Sequence, residues 1–138
     1  MIASAVMVRM AIGGHEVVQD GELLTLTFHG PLTLAQVTEV RARVDELLHV
    51  GRCFVLADMT ALTTIEAAAR RYIGEWGRST EVHLNGAAIV GTSFAVRVMM
   101  TLMLNAIRVL ARHQVPTVFV RDEAEARAWI AERQRLLT

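Results

Sequence analysis

The chain predicts a mixed α/β domain: one sheet, opened by an antiparallel hairpin and continued by parallel strands, with about four helices. Three observations predict it. Two strand-like segments flank Asp20-Gly21, a dipeptide suited to a tight hairpin turn. Three apolar runs, 53–57, 87–90 and 117–120, have the composition of strands covered on both faces. A helical pattern separates each run from the next, which requires a crossover and hence parallel pairing. At 138 residues, the whole chain 1–138 is read as one domain with a proper core and no internal repeat, linker or low-complexity segment.

The elements follow in order. Val6, Val8, Met10 and Ile12 alternate with Met7, Arg9 and Ala11, the period of a strand. No basic residue precedes this run and Arg9 interrupts it, so a secretory leader is not expected. The hairpin is 15–19 and 23–28, with Leu24, Leu26 and Phe28 on one face and Thr25 and Thr27 on the other. Gly30-Pro31 is expected to break its second strand.

Thr33 and Gln36 have capping-box spacing, and Leu34, Val37, Val40, Val44, Leu47 and Leu48 form one stripe of the helix they open, ending near Gly51. After the strand 53–57 a short polar turn is expected. Thr63 and Glu66 then repeat the capping-box pattern and open a helix to about Trp76. The strand 87–90 is closed by Gly91-Thr92-Ser93, and a long helix, 94 to about 112, follows. Pro116 introduces the strand 117–120. Asp122 caps a last helix, 123 to about 134, with Glu125 at the capping-box position.

Composition narrows the function. All fourteen basic residues are arginine, so a lysine Schiff base and a phosphate-loop lysine are excluded. A formal net charge of zero implies neither nucleic acid nor an anionic membrane surface as partner, and leaves self-association weakly opposed. The single cysteine, Cys53, rules out an internal disulfide; in an apolar strand it reads as an inert core residue, and a reducing cytoplasm is the expected compartment. The five histidines show no metal-ligand spacing, and no serine sits in a nucleophile elbow. No metal or other cofactor and no catalytic set are therefore expected.

Three features remain. The helix 94–112 carries ten consecutive uncharged residues, too few for a membrane span of about 20. It is apolar nearly all round, so its outer face needs a cover: its own domain, a second protomer or a bound apolar ligand. Met99, Met100, Met103, Leu104 and Ile107 are the candidate hydrophobic pocket or dimer face. Glu66 could act as an acid or base, but a capping role explains it. Gly91, Thr92 and Ser93 could hold an anion on free N–H groups, although plain capping by Thr92 or Ser93 explains the pattern as well. Arg70-Arg71 could grip an acidic partner or form a solvated helix face.

Strand, turn, Glu66-Ala67-Ala68-Ala69 and helix, then strand, Gly91 and helix, then strand and short helix: this succession resembles the STAS domain of anti-sigma-factor antagonists. The runs Gly86-Ala87-Ala88-Ile89-Val90-Gly91 and Glu125-Ala126-Arg127-Ala128-Trp129-Ile130 are similar to its SpoIIAA-like branch, which shares fold features with lipid-binding CRAL-TRIO domains. The resemblance covers about residues 17–136, leaving 1–14 as an N-terminal extension or extra strand. In signalling STAS domains the turn reads Asp-Ser-Ser/Thr-Gly, and a kinase phosphorylates a hydroxyl there. Glu66 stands in place of that Asp, Ala67 and Ala68 in place of the two hydroxyl residues, and Ala69 in place of the Gly. Neither alanine can accept a phosphoryl group; Thr63 and Thr64 lie just upstream and stay a minor alternative as acceptors, displaced from the geometry a kinase would read.

The resemblance thus implies a non-enzymatic interaction module without the family's phospho-switch, its partner a kinase-like or other signalling protein. The partner-binding residues expected are Thr60, Thr63, Thr64, Glu66, Ala67, Ala68, Ala69, Arg70, Gly91, Thr92, Ser93 and Phe94. A homodimer through apolar helix surface is also expected. The alternative is a carrier or sensor of a hydrophobic ligand such as a lipid or fatty acid.

Overall fold

A computed structural model describes residues 7–47, 52–77, 85–91 and 116–137. Six strands form one sheet in the order of the chain: β1 (Met7–Ile12), β2 (His15–Asp20), β3 (Leu23–Leu32), β4 (Phe54–Ile65), β5 (Gly86–Val90) and β6 (Thr117–Val120). The first three pair antiparallel and β3 to β6 pair parallel. The helices described are α1 (Leu34–Leu47), α2 (Ala67–Gly77) and α3 (Glu123–Leu136). The predicted helix 94–112 and the end of the first helix near Gly51 lie outside the described residues.

The alternation of β4 divides the core. Val55 and Ala57 face Val37, Val40 and Val44 of α1 and Ala69 of α2, with Leu24, Leu26 and Phe28 alongside. Phe54 and Leu56 face the other way, onto Ala126 and Ile130 of α3 together with Ala88, Val90 and Val120. Strands covered on both sides gain nothing from polar positions, which is why these runs read as apolar. The Arg41 guanidinium lies 5.6 Å from the Tyr72 ring centre and 5.8 Å from that of Trp76, joining α1 to α2.

Four local expectations are corrected. Gly30-Pro31 does not end the hairpin strand: β3 continues to Leu32. Past Thr27 its edge has no partner on β2, so the missing N–H of Pro31 breaks no ladder bond there. Gly30 holds φ +78°, a left-handed conformation that glycine adopts without strain. Second, the strand predicted as 53–57 begins at Phe54 and runs to Ile65, because its far half pairs with the continuation of β3. The polar stretch is largely β-branched threonine, suited to an extended strand as well as to a turn. Third, α2 starts at Ala67, after the strand, so Thr63 does not cap it. Leu34, assigned to the buried stripe of α1, is 37% exposed at the helix start.

The other caps form as expected. Thr33 Oγ1 accepts from Gln36 N–H at 3.2 Å and Gln36 Oε1 accepts from Thr33 N–H at 3.1 Å. Asp122 Oδ1 accepts from Glu125 N–H at 2.8 Å, while Glu125 Oε2 accepts from Arg121 N–H at 3.3 Å.

Candidate functional site

The carboxyl ends of β4 and β5 carry the residues of interest, and the far half of β4 is irregular. Against β3 its register slips twice, between the pairs Thr27–Asp58 and His29–Ala61, and again between Gly30–Leu62 and Leu32–Ile65. Each slip places three steps of β4 opposite two of β3, a bulge on the β4 side. Bulges re-aim side chains and raise local twist. Thr60 lies in the first, Thr63 and Thr64 in the second, and all three are exposed.

The first bulge is pinned from within: Asp58 Oδ1 accepts the Thr60 N–H at 2.9 Å. Thr60 then packs on Gly91 at the end of β5. A side chain added at Gly91 would place its Cβ 3.0 Å from Thr60 Cβ and 3.1 Å from Thr60 Cα, and Gly91 also holds φ +71°. Glycine is required there on both counts.

Glu66 follows the strand, and its groups go to neighbours distant in sequence. Its N–H donates to Leu32 O at 3.0 Å, which occupies the donor a capping box would have used. Its Oε1 accepts the Leu34 N–H at 3.3 Å. The carboxylate thus caps the start of α1, where the helix dipole also favours negative charge. Glu66 O accepts from Arg70 N–H at 2.9 Å, the first turn of α2. Two helix entrances therefore share one residue.

Of the expected contact residues, Thr60, Thr63, Thr64, Glu66, Ala67 and Arg70 are exposed, and Ala68 and Gly91 are half-buried, all on one end of the sheet. Ala69 is wholly buried in the α1–α2 core and supports the helix from beneath. Arg70 reaches back to Ile65 O at 3.4 Å; Arg71 is exposed. Thr92, Ser93 and Phe94 lie outside the described residues, as do Met99, Met100, Met103, Leu104 and Ile107.

Two contributors were missed from sequence. Asp58 shapes the first bulge, and the Asp-x-Thr spacing in Asp58-Met59-Thr60 is the local signal that would have found it. His15 supports the end of β3: it is 2% exposed, its Nδ1 accepts the His29 N–H at 3.0 Å, and its Nε2 then donates to Gln36 Oε1 at 3.0 Å. Phe28 lies edge-on to its ring at 5.5 Å. No short pattern joins residues 15, 29 and 36.

Among the described residues, no group of three or more His, Cys, Asp or Glu is placed to hold a metal, and no helix is long and apolar enough to cross a membrane. Burial, aided by the charge of Glu22, pushes the Cys53 thiol up to about 11. It is a protonated, weakly reactive thiol at neutral pH.

A mixed sheet opened by a hairpin, with α1 and α2 on one face and α3 on the other, is the architecture of the SpoIIAA-like fold. The SpoIIAA-like family model matches residues 23–131, and the chain belongs to that family. No curated protein matches it. Among solved structures it is similar to an uncharacterized protein of the DUF3478 family with a SpoIIAA-like fold from Shewanella loihica PV-4, at 15% identity and TM-score 0.60, covering 94% of this chain and 98% of that one. It is also similar to the anti-sigma factor antagonist SpoIIAA in its unphosphorylated form, at 13% identity and TM-score 0.58, covering 91% of this chain and 98% of that one. At these identities the likeness speaks for the fold.

Proposed function

We propose that this chain is a non-enzymatic protein-docking module whose contact surface is the far end of β4 with the entrance of α2, and that the surface carries no phospho-switch. The observation that supports it most is the sequence of side chains across that end. Exposed Thr60, Thr63 and Thr64 lead to Glu66, then to inert Ala67 and Ala68 where the helix begins. Both carboxylates of the segment serve backbone N–H groups, Asp58 that of Thr60 and Glu66 that of Leu34. They shape the surface; among the described residues neither is paired with a hydroxyl as a base would be. The partner is a protein, as for the anti-sigma factor antagonist that shares the fold.

The test is affinity capture with the wild type and Ala68→Asp, each checked for an unchanged melting temperature. A carboxylate at Ala68 puts charge on the half-buried α2 entrance, and loss of the captured protein is expected. Equal capture by both would show that contact lies elsewhere. Intact mass after expression in the native host tests the second half of the proposal: a stoichiometric addition of about 80 Da, the mass of one phosphate added to an acceptor hydroxyl, would contradict it.

A further inference from the structure

The two edges of the sheet are unequal. β6 is only four residues long and begins just after Pro116, which protects it from pairing. β1 has six residues, Met-Val-Arg-Met-Ala-Ile, in an unbroken register with β2, with neither proline nor bulge. Among the described residues nothing pairs with its outer edge, and Met7 is 54% exposed. A long, flat, mostly apolar edge is a template for another strand.

The register with β2 settles which groups that edge presents. Ile12 and His15 flank a two-residue turn with Gly13 at φ +59°, the position of a hydrogen-bonded pair. Alternation then directs the N–H and C=O groups of Val8, Met10 and Ile12 toward β2, and those of Met7, Arg9 and Ala11 outward. In an antiparallel copy of β1, opposite residues must lie on the same face and present matching groups. That leaves registers in which Arg9 meets residue 7, 9 or 11 of the other strand.

We propose that β1 pairs antiparallel with β1 of a second copy of this chain, about a two-fold axis at Met10, extending one sheet through both subunits. In this register Arg9 lies opposite Ala11 of the second copy, and their outward N–H and C=O groups bond on both sides of the axis. Met10 meets its own counterpart as a non-hydrogen-bonded pair, and Val8 meets Ile12. Charge selects this register. The strand next to Ala11 holds Glu16 at the paired position, so each Arg9 faces a carboxylate of the other copy as well as its own Glu16, 3.8 Å away. Centring the axis on Arg9 would oppose two guanidinium groups. Centring it on Val8 would overlap only residues 7–9 of the described strand, against 8–12 with the axis on Met10. A net charge of zero adds no long-range repulsion. This interface is separate from the far end of β4 and stands without the docking proposal.

Two measurements test it. Ala11→Pro removes an outward N–H that β2 does not use, and so deletes two intersubunit bonds per dimer. Sedimentation velocity should show a wild-type dimer whose dissociation constant rises about tenfold or more in Ala11→Pro. In a Cys53→Ala background, Met10→Cys should link across the axis under mild oxidation, while Arg9→Cys should not, since only position 10 meets itself. A monomeric wild type at 100 μM concentration (of the order at which weak dimers form), or cross-linking at position 9 in preference to 10, would overturn the proposal. If Ala11→Pro fails to fold, the cysteine pair decides alone.

Discussion

The two halves of β4 are built on opposite principles. In the first, Phe54 to Ala57, every side chain is buried and the residues alternate between two cores. Its start is tied down as well: Cys53 and Asn85 exchange bonds of 2.9 and 2.7 Å, and Arg52 grips Glu22 with two bonds of 3.0 Å. In the second half the strand bulges twice and its threonines face outward; Asp58 pins the first bulge from within, and Glu66, just past the strand, ties its end to Leu32 and Leu34. Apolar contact fixes the whole of the first half; in the second it anchors Ile65, with Met59 and Leu62 against the core, and hydrogen-bond geometry shapes the exposed remainder. A surface that docks a partner must be shaped without being covered, and only the second kind of construction leaves it open.

Substitutions should separate the two. Phe54→Ala empties a fully buried site and should cost about 3–5 kcal/mol in urea unfolding. A loss under 1 kcal/mol would mean that the first half is not the structural anchor. Gln36→Ala strips partners from the buried His15 Nε2–H and the Thr33 N–H that brace the end of β3. About 1–3 kcal/mol should follow. Gly91→Ala sets a Cβ against Thr60 at a left-handed backbone position, and a loss of about 1 kcal/mol or more is expected, read from the shift in melting temperature. Thr63→Ala and Thr64→Ala, exposed, should change stability by no more than about 0.5 kcal/mol while weakening partner capture.

Cys53 adds a pH signature to the anchored end. Its thiol titrates near 11 in the folded chain against 9.0 for the free group, so folding favours the neutral form. The stability this contributes is complete below about pH 9 and is lost as pH rises toward 11. Thiol labelling of the native protein should be slow at pH 8 and accelerate on denaturation. Fast native labelling would show that the end is open.

What was legible in the sequence follows the same division. The apolar runs, the hairpin turn and the Thr33–Gln36 and Asp122–Glu125 caps are local signals, and each was read from a few neighbouring residues. The far half of β4 was misread as a turn because its strand character comes from pairing with β3, about thirty residues upstream in sequence, and its threonines suit either state. Glu66 was assigned to its own helix, but its carboxylate serves one that begins thirty-two residues earlier. The His15 brace joins three elements and leaves no spacing to find. That the candidate residues stand at strand ends was legible; their arrangement was legible only where the contact is local, as between Asp58 and Thr60, and not where Glu66 bonds to residues over thirty positions away.

The most direct test is hydrogen exchange on the captured complex. Protection on binding should concentrate on residues 60–70 and at Gly91, and leave the first half of β4 and α3 unchanged. Protection confined to α3 or the β1 edge, with 60–70 exchanging as in the free protein, would contradict the assignment of the docking surface.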